Sequence, residues 1–186
     1  GIVMNWAEKW KLPEPGSTAQ ILNFSFLPPL DAFSGELKKV EANLSFVKET
    51  GLSQLRGEIR VKGKDVTMGD EHLDESIHDE MLQVAKHPTT HFKIQSSTGD
   101  IEKLKLLDSR QIVLHGIFTM VGKSIPLAVE ANLEPVISKD GQLRLALSGS
   151  FRLSLKSEFG IDGPDGPDAA RDFLQFYFRF EYQPQK

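Results

Sequence analysis

The chain has 186 residues, with 22 basic against 26 acidic side chains for a formal net charge of −4, and no cysteine. That length fits one domain able to bury about two-thirds of its unfolded surface, and the missing thiols exclude disulfides, thiolate metal sites and cysteine nucleophiles. The charges are spread without long blocks and form no basic stripe, which argues against nucleic acid as a partner.

No apolar run reaches the roughly 18 to 20 residues of a membrane-spanning helix. The opening GIVMNWAEKW lacks the basic and long apolar regions of a signal peptide. Ile2 onward reads as the mature end of an exported precursor. A periplasmic or secreted location is therefore the expectation, with the cytoplasm as the alternative. Trp6 and Trp10, four residues apart, read as a short N-terminal helix packing on the mouth of the assembly that the later strands build.

Period-two alternation then dominates, the signature of strands with one apolar and one wet face. It begins in AQILNFSF (Leu22, Phe24, Phe26), VEANLSF (Val40, Ala42, Leu44, Phe46) and LRGEIRVKG (Leu55, Gly57, Ile59, Val61). After a helical interruption come HFKIQ, a short IEKLKLL, IVLHGIFTMV (Ile112, Leu114, Gly116, Phe118, Met120) and SIPLAVEANL. The longest runs are LRLALSGSFRLSL, from Leu143 to Leu155, and LQFYFRFEY, with Leu174, Phe176, Phe178, Phe180 and Tyr182 on one face. About eight strands joined by turns such as KETG and SKDG predict an antiparallel all-β domain. It closes as a barrel or packs as a two-sheet sandwich.

The interruption, TMGDEHLDESIHDEMLQVAKHP, holds three of the five histidines. At 100° per residue, Leu73, Ile77, Met81 and Val84 share an apolar arc of about 80°, an amphipathic helix. Thr67 to Asp70 resembles a capping box at its start, and Pro88 ends it. A helical zinc site needs histidines at i and i+4, whereas His72 and His78 are six apart and diverge by about 120°. His87 and His91 have the right spacing but no helix, so a solvated acidic face is the expected reading and no metal is assigned.

Two other decoys fall to the same kind of test. GIFTMVGKS places five residues between Gly116 and Gly122 where a phosphate loop has four, and Pro126 with Leu127 to Val129 continues as a strand where the loop needs a helix. The aspartates Asp162, Asp165, Asp168 and Asp172 are spaced by three or four and interrupted by prolines. That suits a turn-rich connection better than a calcium loop, which alternates its ligands. No cofactor is assigned.

Three segments in order resemble the YceI-like, or polyisoprenoid-binding-like, family. They are Thr67–Met–Gly–Asp70–Glu–His72–Leu73 leading to His87–Pro88–Thr–Thr–His91–Phe92, then Gly116–Ile–Phe118–Thr119–Met–Val–Gly122–Lys–Ser124–Ile–Pro126–Leu127, and Lys156–Ser–Glu158–Phe159–Gly160–Ile161. Lys156 stands where the family pattern has arginine, which removes a planar bidentate donor. The matches run from about residue 33 to 161 of a single domain spanning 1–186, with 1–18 read as an N-terminal extension.

The resemblance implies an eight-stranded antiparallel, lipocalin-like β-barrel with one short helix near its mouth. It also implies a lumen for a polyisoprenoid, quinone or fatty-acid-like lipid, with a homodimer as an open option. Candidate ligand-binding residues are Leu44, Phe46, Ile59, Phe92, Phe118, Met120, Phe151, Leu153, Phe176 and Phe178. The ligand's head is expected at His72 or Lys156. The expected function is non-enzymatic binding, a carrier or store, with no catalytic residue. The alternatives are an enzyme on a lipid or quinone using His72 or His115, and a stress-related interaction module with a packed barrel and no ligand.

Overall fold

The computed structural model describes residues 7–14, 20–27, 34–49, 51–162 and 172–185. Among the described residues there are eleven strands, eight of them on the alternating runs: β1 (Lys9–Lys11), β2 (Gln20–Leu27), β3 (Ser34–Leu37), β4 (Val40–Glu49), β5 (Leu52–Lys62), β6 (Val66–Thr67), β7 (Thr89–Thr98), β8 (Arg110–Met120), β9 (Lys123–Ile137), β10 (Leu143–Ser154) and β11 (Phe173–Pro184); β1, β3 and β6 lie outside those runs. Every pairing is antiparallel. Eight strands close a ring in the order β1-β4-β5-β7-β8-β9-β10-β11 and back to β1. Closure removes the exposed edges that an open sheet would present. The fold is the expected closed eight-stranded antiparallel barrel.

The closing strand lies where no strand was read. Lys9 to Lys11 pairs with Asn43 to Ser45 on one side, while Trp10 and Lys11 face Pro184 and Gln183 on the other. Residues expected to be a helical extension at the mouth are instead a short strand, with Trp10 buried in the core. Trp6 lies outside the described residues. The rest of the free edge of β11, Phe173 to Phe180, is covered by β2, which continues through β3 to β6.

Inward faces match the alternation. Leu174, Phe176, Phe178, Phe180 and Tyr182 are all buried, as are Ile112, Leu114, Phe118 and Met120. Gly116 holds the remaining inward position of β8, where a Cβ would lie 2.2 Å from the Lys93 carbonyl oxygen. The strands there approach closely enough that only glycine fits. IEKLKLL is not a strand. It is a loop that turns Ile101 and Leu104 inward, at 4% and 1% exposure, at the end of the barrel away from the helix.

The helix is also shorter than expected. α1 (Glu71–Ser76) runs into a π-type turn at Ile77–Met81, and Leu82 N donates to Ile77 O at 2.8 Å. The chain then leaves helical geometry at Gln83, whose φ is +50°, five residues before Pro88. Asp70 is the cap, its Oδ1 accepting from His72 N at 2.9 Å and Leu73 N at 3.0 Å. Thr67 instead donates its hydroxyl to Asp74 Oδ2 at 2.7 Å, tying β6 to the helix. A second short helix, α2 (Leu155–Phe159), takes over where β10 was expected to continue through Leu155. It ends on Gly160, left-handed at φ +69°.

Candidate functional site

The barrel interior holds two small cavities in line. The mouth-side chamber, about 50 Å³, is walled by Phe26, Ile77, Met81, Met120, Leu155, Ile161 and their neighbours, with Thr90 the one polar side chain among the described residues. The inner chamber, also about 50 Å³, is walled mainly by aliphatic and aromatic residues such as Ile59, Phe92, Phe118, Phe178 and Phe180. Leu37, Val61, Thr90 and Phe176 border both.

Outside the mouth-side chamber lies a groove of about 850 Å³ between α1, its π-type turn, the β8–β9 hairpin and the end of α2. Groove and chamber share Phe26, Ile77, Met81 and Ile161, so these four form the partition between them. The lid owes its position to the amphipathic pattern, because Ile77 is the buried residue of the turn that follows α1. A π-type turn at such a place is a recurrent feature of functional helices.

The groove's polar lining is Ser76, Glu80, Gln83, His87, Lys123 and Asp162. Two of these are held by close contacts. The turn Val121–Gly122 presses on His87, because a Cβ at Gly122 would lie 2.7 Å from His87 Cε1. Asp162 accepts from Lys156 Nζ at 3.0 Å. One apolar wall beside a mixed polar rim gives an amphiphile two matching surfaces.

The ten candidate residues divide. Ile59, Phe92, Phe118, Phe151, Phe176 and Phe178 border the inner chamber, and Met120 with Phe176 borders the mouth-side one. Leu44 and Leu153 are fully buried packing, and Phe46 is half-buried; none of the three borders either chamber. Of the two residues expected near a ligand's head, His72 is exposed and Lys156 is bonded to Asp162, and neither borders this groove.

Of the other histidines, His78 Nε2 meets Val66 O at 2.8 Å and His115 Nε2 meets Thr98 Oγ1 at 3.1 Å, while His91 borders the inner chamber with its Nδ1 buried and without a hydrogen-bond partner among the described residues. Among the described residues no group of three or more His, Asp or Glu side chains is placed to hold a metal ion. Asp165 and Asp168 lie outside them.

Sequence reasoning missed several lining residues. Leu22, Phe24 and Phe180 stand on alternating faces already recognised, and Ile77 and Met81 on the helix's apolar arc, so their signal was present. Leu37 and Ile161 sit in segments without periodicity, and only the packing reveals them.

Among the described residues the shifted ionisable groups lie away from the groove. Arg110 holds the Asp108 carboxyl below its usual range, and the Ser53 N–H does the same for Glu102. Burial pushes the Tyr182 phenol well above its usual value.

A closed antiparallel barrel with an apolar interior, partitioned from a mixed groove by a short helical lid, defines a lumen-bearing β-barrel domain. The chain belongs to the YceI-like domain family, whose profile matches residues 10–181. Among solved structures, a polyisoprenoid binding domain from Saccharophagus degradans, implicated in plant cell wall breakdown, is similar. It is 10% identical, with 97% of this chain and 100% of that one covered at a TM-score of 0.70. Burkholderia cenocepacia BcnA is 13% identical over 88% of this chain and 96% of that one, TM-score 0.67. A Campylobacter jejuni YceI protein is 16% identical over 82% and 84%, TM-score 0.59. At these identities the likeness shows the fold. No curated protein matches the chain in sequence.

Proposed function

We propose that this protein is a non-enzymatic carrier that holds the apolar chain of an isoprenoid or similar amphiphilic lipid inside the barrel, with the head in the outer groove. The observation that carries this reading is the alignment of two apolar chambers behind a groove with a polar rim. Family membership and the similarity to the polyisoprenoid binding domain of Saccharophagus degradans support a lipid as ligand class. Burial contributes about 0.8 kcal/mol per CH₂, so a chain of this kind needs few polar contacts. His87 and Lys123 replace His72 and Lys156 as the groups nearest a head. Binding and release require no bond chemistry, and we extend the reading to an exported, periplasmic or secreted protein.

One observation favours a second reading, a packed barrel acting as an interaction module. Each chamber is about 50 Å³, whereas a dry cavity that takes up benzene is about 150 Å³. The carrier reading therefore requires the lumen to widen when it loads. Denaturing solvent extraction of freshly purified protein, followed by mass spectrometry, separates the two. A stoichiometric prenyl or acyl lipid supports the carrier. An empty extract, repeated after incubation with such lipids, replaces it with the packed module.

A further inference from the structure

We propose that Phe176 is the length gauge of this lumen, setting how far an apolar chain penetrates. The inference rests on the carrier reading. The spaces are ordered along β11 itself. Leu174 borders the mouth-side chamber, Phe176 borders both chambers, and Phe178 and Phe180 border the inner one. Inward residues two apart on a strand step along the barrel axis, so Phe176 stands at the waist.

Thr90 also borders both chambers. It stands on β7, four strands from β11 through β8, β9 and β10. Leu37 and Val61 complete the waist with smaller side chains. The Phe176 ring is also held in place. It stacks on Phe151 with centroids 4.8 Å apart at 16°, and it packs at 6.4 Å against both Phe24 and Phe118. Such ring contacts fix orientation as well as adding attraction. A chain passing the lid at Ile77 and Met81 fills the mouth-side chamber and meets this clamped ring before the inner one.

The gauge predicts a chain-length series with a break. Each carbon buried before the waist tightens binding by about fourfold, and carbons beyond it add nothing. The probes are saturated fatty acids and linear prenyl alcohols of graded length, in competition with a dansyl-labelled fatty acid. The proteins are the unaltered chain, Phe176→Ala, Phe176→Leu and Phe180→Leu, each checked for cooperative unfolding. Phe176→Leu keeps the test available should Phe176→Ala fail to fold.

The expected result is a plateau in the unaltered protein that moves to longer chains in the Phe176 variants. Phe180→Leu, which loosens the inner chamber without opening the waist, keeps the original plateau. A plateau at the same length in the Phe176 variants, or affinity that climbs without a break in the unaltered protein, overturns the gauge and leaves the carrier reading standing. If chains of every length fail to compete in all four proteins, the carrier reading falls and the gauge falls with it.

Discussion

Phe151 and Phe176 face each other across the β10–β11 ladder as a directly paired couple, with rings stacked 4.8 Å apart. Directly opposed cross-strand residues are the unit of sheet stabilisation, and here one pair also narrows the lumen. A double-mutant cycle with alanine at both positions is expected to give a coupling of about 0.5–1.5 kcal/mol, measured by urea unfolding. Zero coupling would mean that the rings act as independent fillers.

Asp74 is the bolt between the barrel wall and the lid. Its two oxygens accept from the Thr67 hydroxyl and the Met68 N–H, each at 2.7 Å. Asp74→Ala leaves both donors without this acceptor and is expected to cost about 1–3 kcal/mol. Hydrogen exchange gives the sharper check. The amides of α1 and Met68 should exchange faster while those of β8 and β9 keep their protection.

The Tyr182 hydroxyl is buried with no hydrogen-bond partner among the described residues. Tyr182→Phe removes an unsatisfied group while keeping the ring that meets Phe180 edge-on at 6.2 Å. It is expected to stabilise the protein by about 1 kcal/mol. The pH dependence has a definite sign. The folded phenol stays protonated above the usual value of 10.0, so the group adds no pH dependence below pH 10, and stability falls as pH rises beyond it and the unfolded chain ionises. Tyr182→Phe should flatten the alkaline limb of stability against pH, and an unchanged limb would refute the assignment.

Acid acts on the other groups. Asp108 is lowered from 3.8 chiefly by the Arg110 hydrogen bond, Glu102 from 4.5 by the Ser53 N–H, and Asp140 from 3.8 by the Ser138 hydroxyl. Depressed carboxylates add stability above their ordinary values, and that stability is lost as pH falls through the lower folded ones. Carboxyl NMR titration should place the Asp108 midpoint below 3.8, and Arg110→Gln should bring it back. All three are surface groups, so added salt should shrink the effect.

The sequence by itself determined which residues turn inward. Alternation in β8, β10 and β11 reports each strand's faces, because successive side chains point to opposite sides whatever the strand pairs with. It also argued against a zinc helix and a phosphate loop, since those depend on local spacing alone. Tertiary structure decided what local spacing cannot encode. Three residues around Trp10 became the strand that closes the ring, too short to show a period and defined only by pairing with β4 and β11. The helix stopped at Met81 because the lid must pack Ile77 against the barrel mouth and then return to β7. Lys123 and His87 came to the groove, and His72 stayed outside, because the β8–β9 hairpin folds over the mouth. Phe176 came to border both chambers through the packing of β11 between β10 and β2, a relation no local pattern encodes.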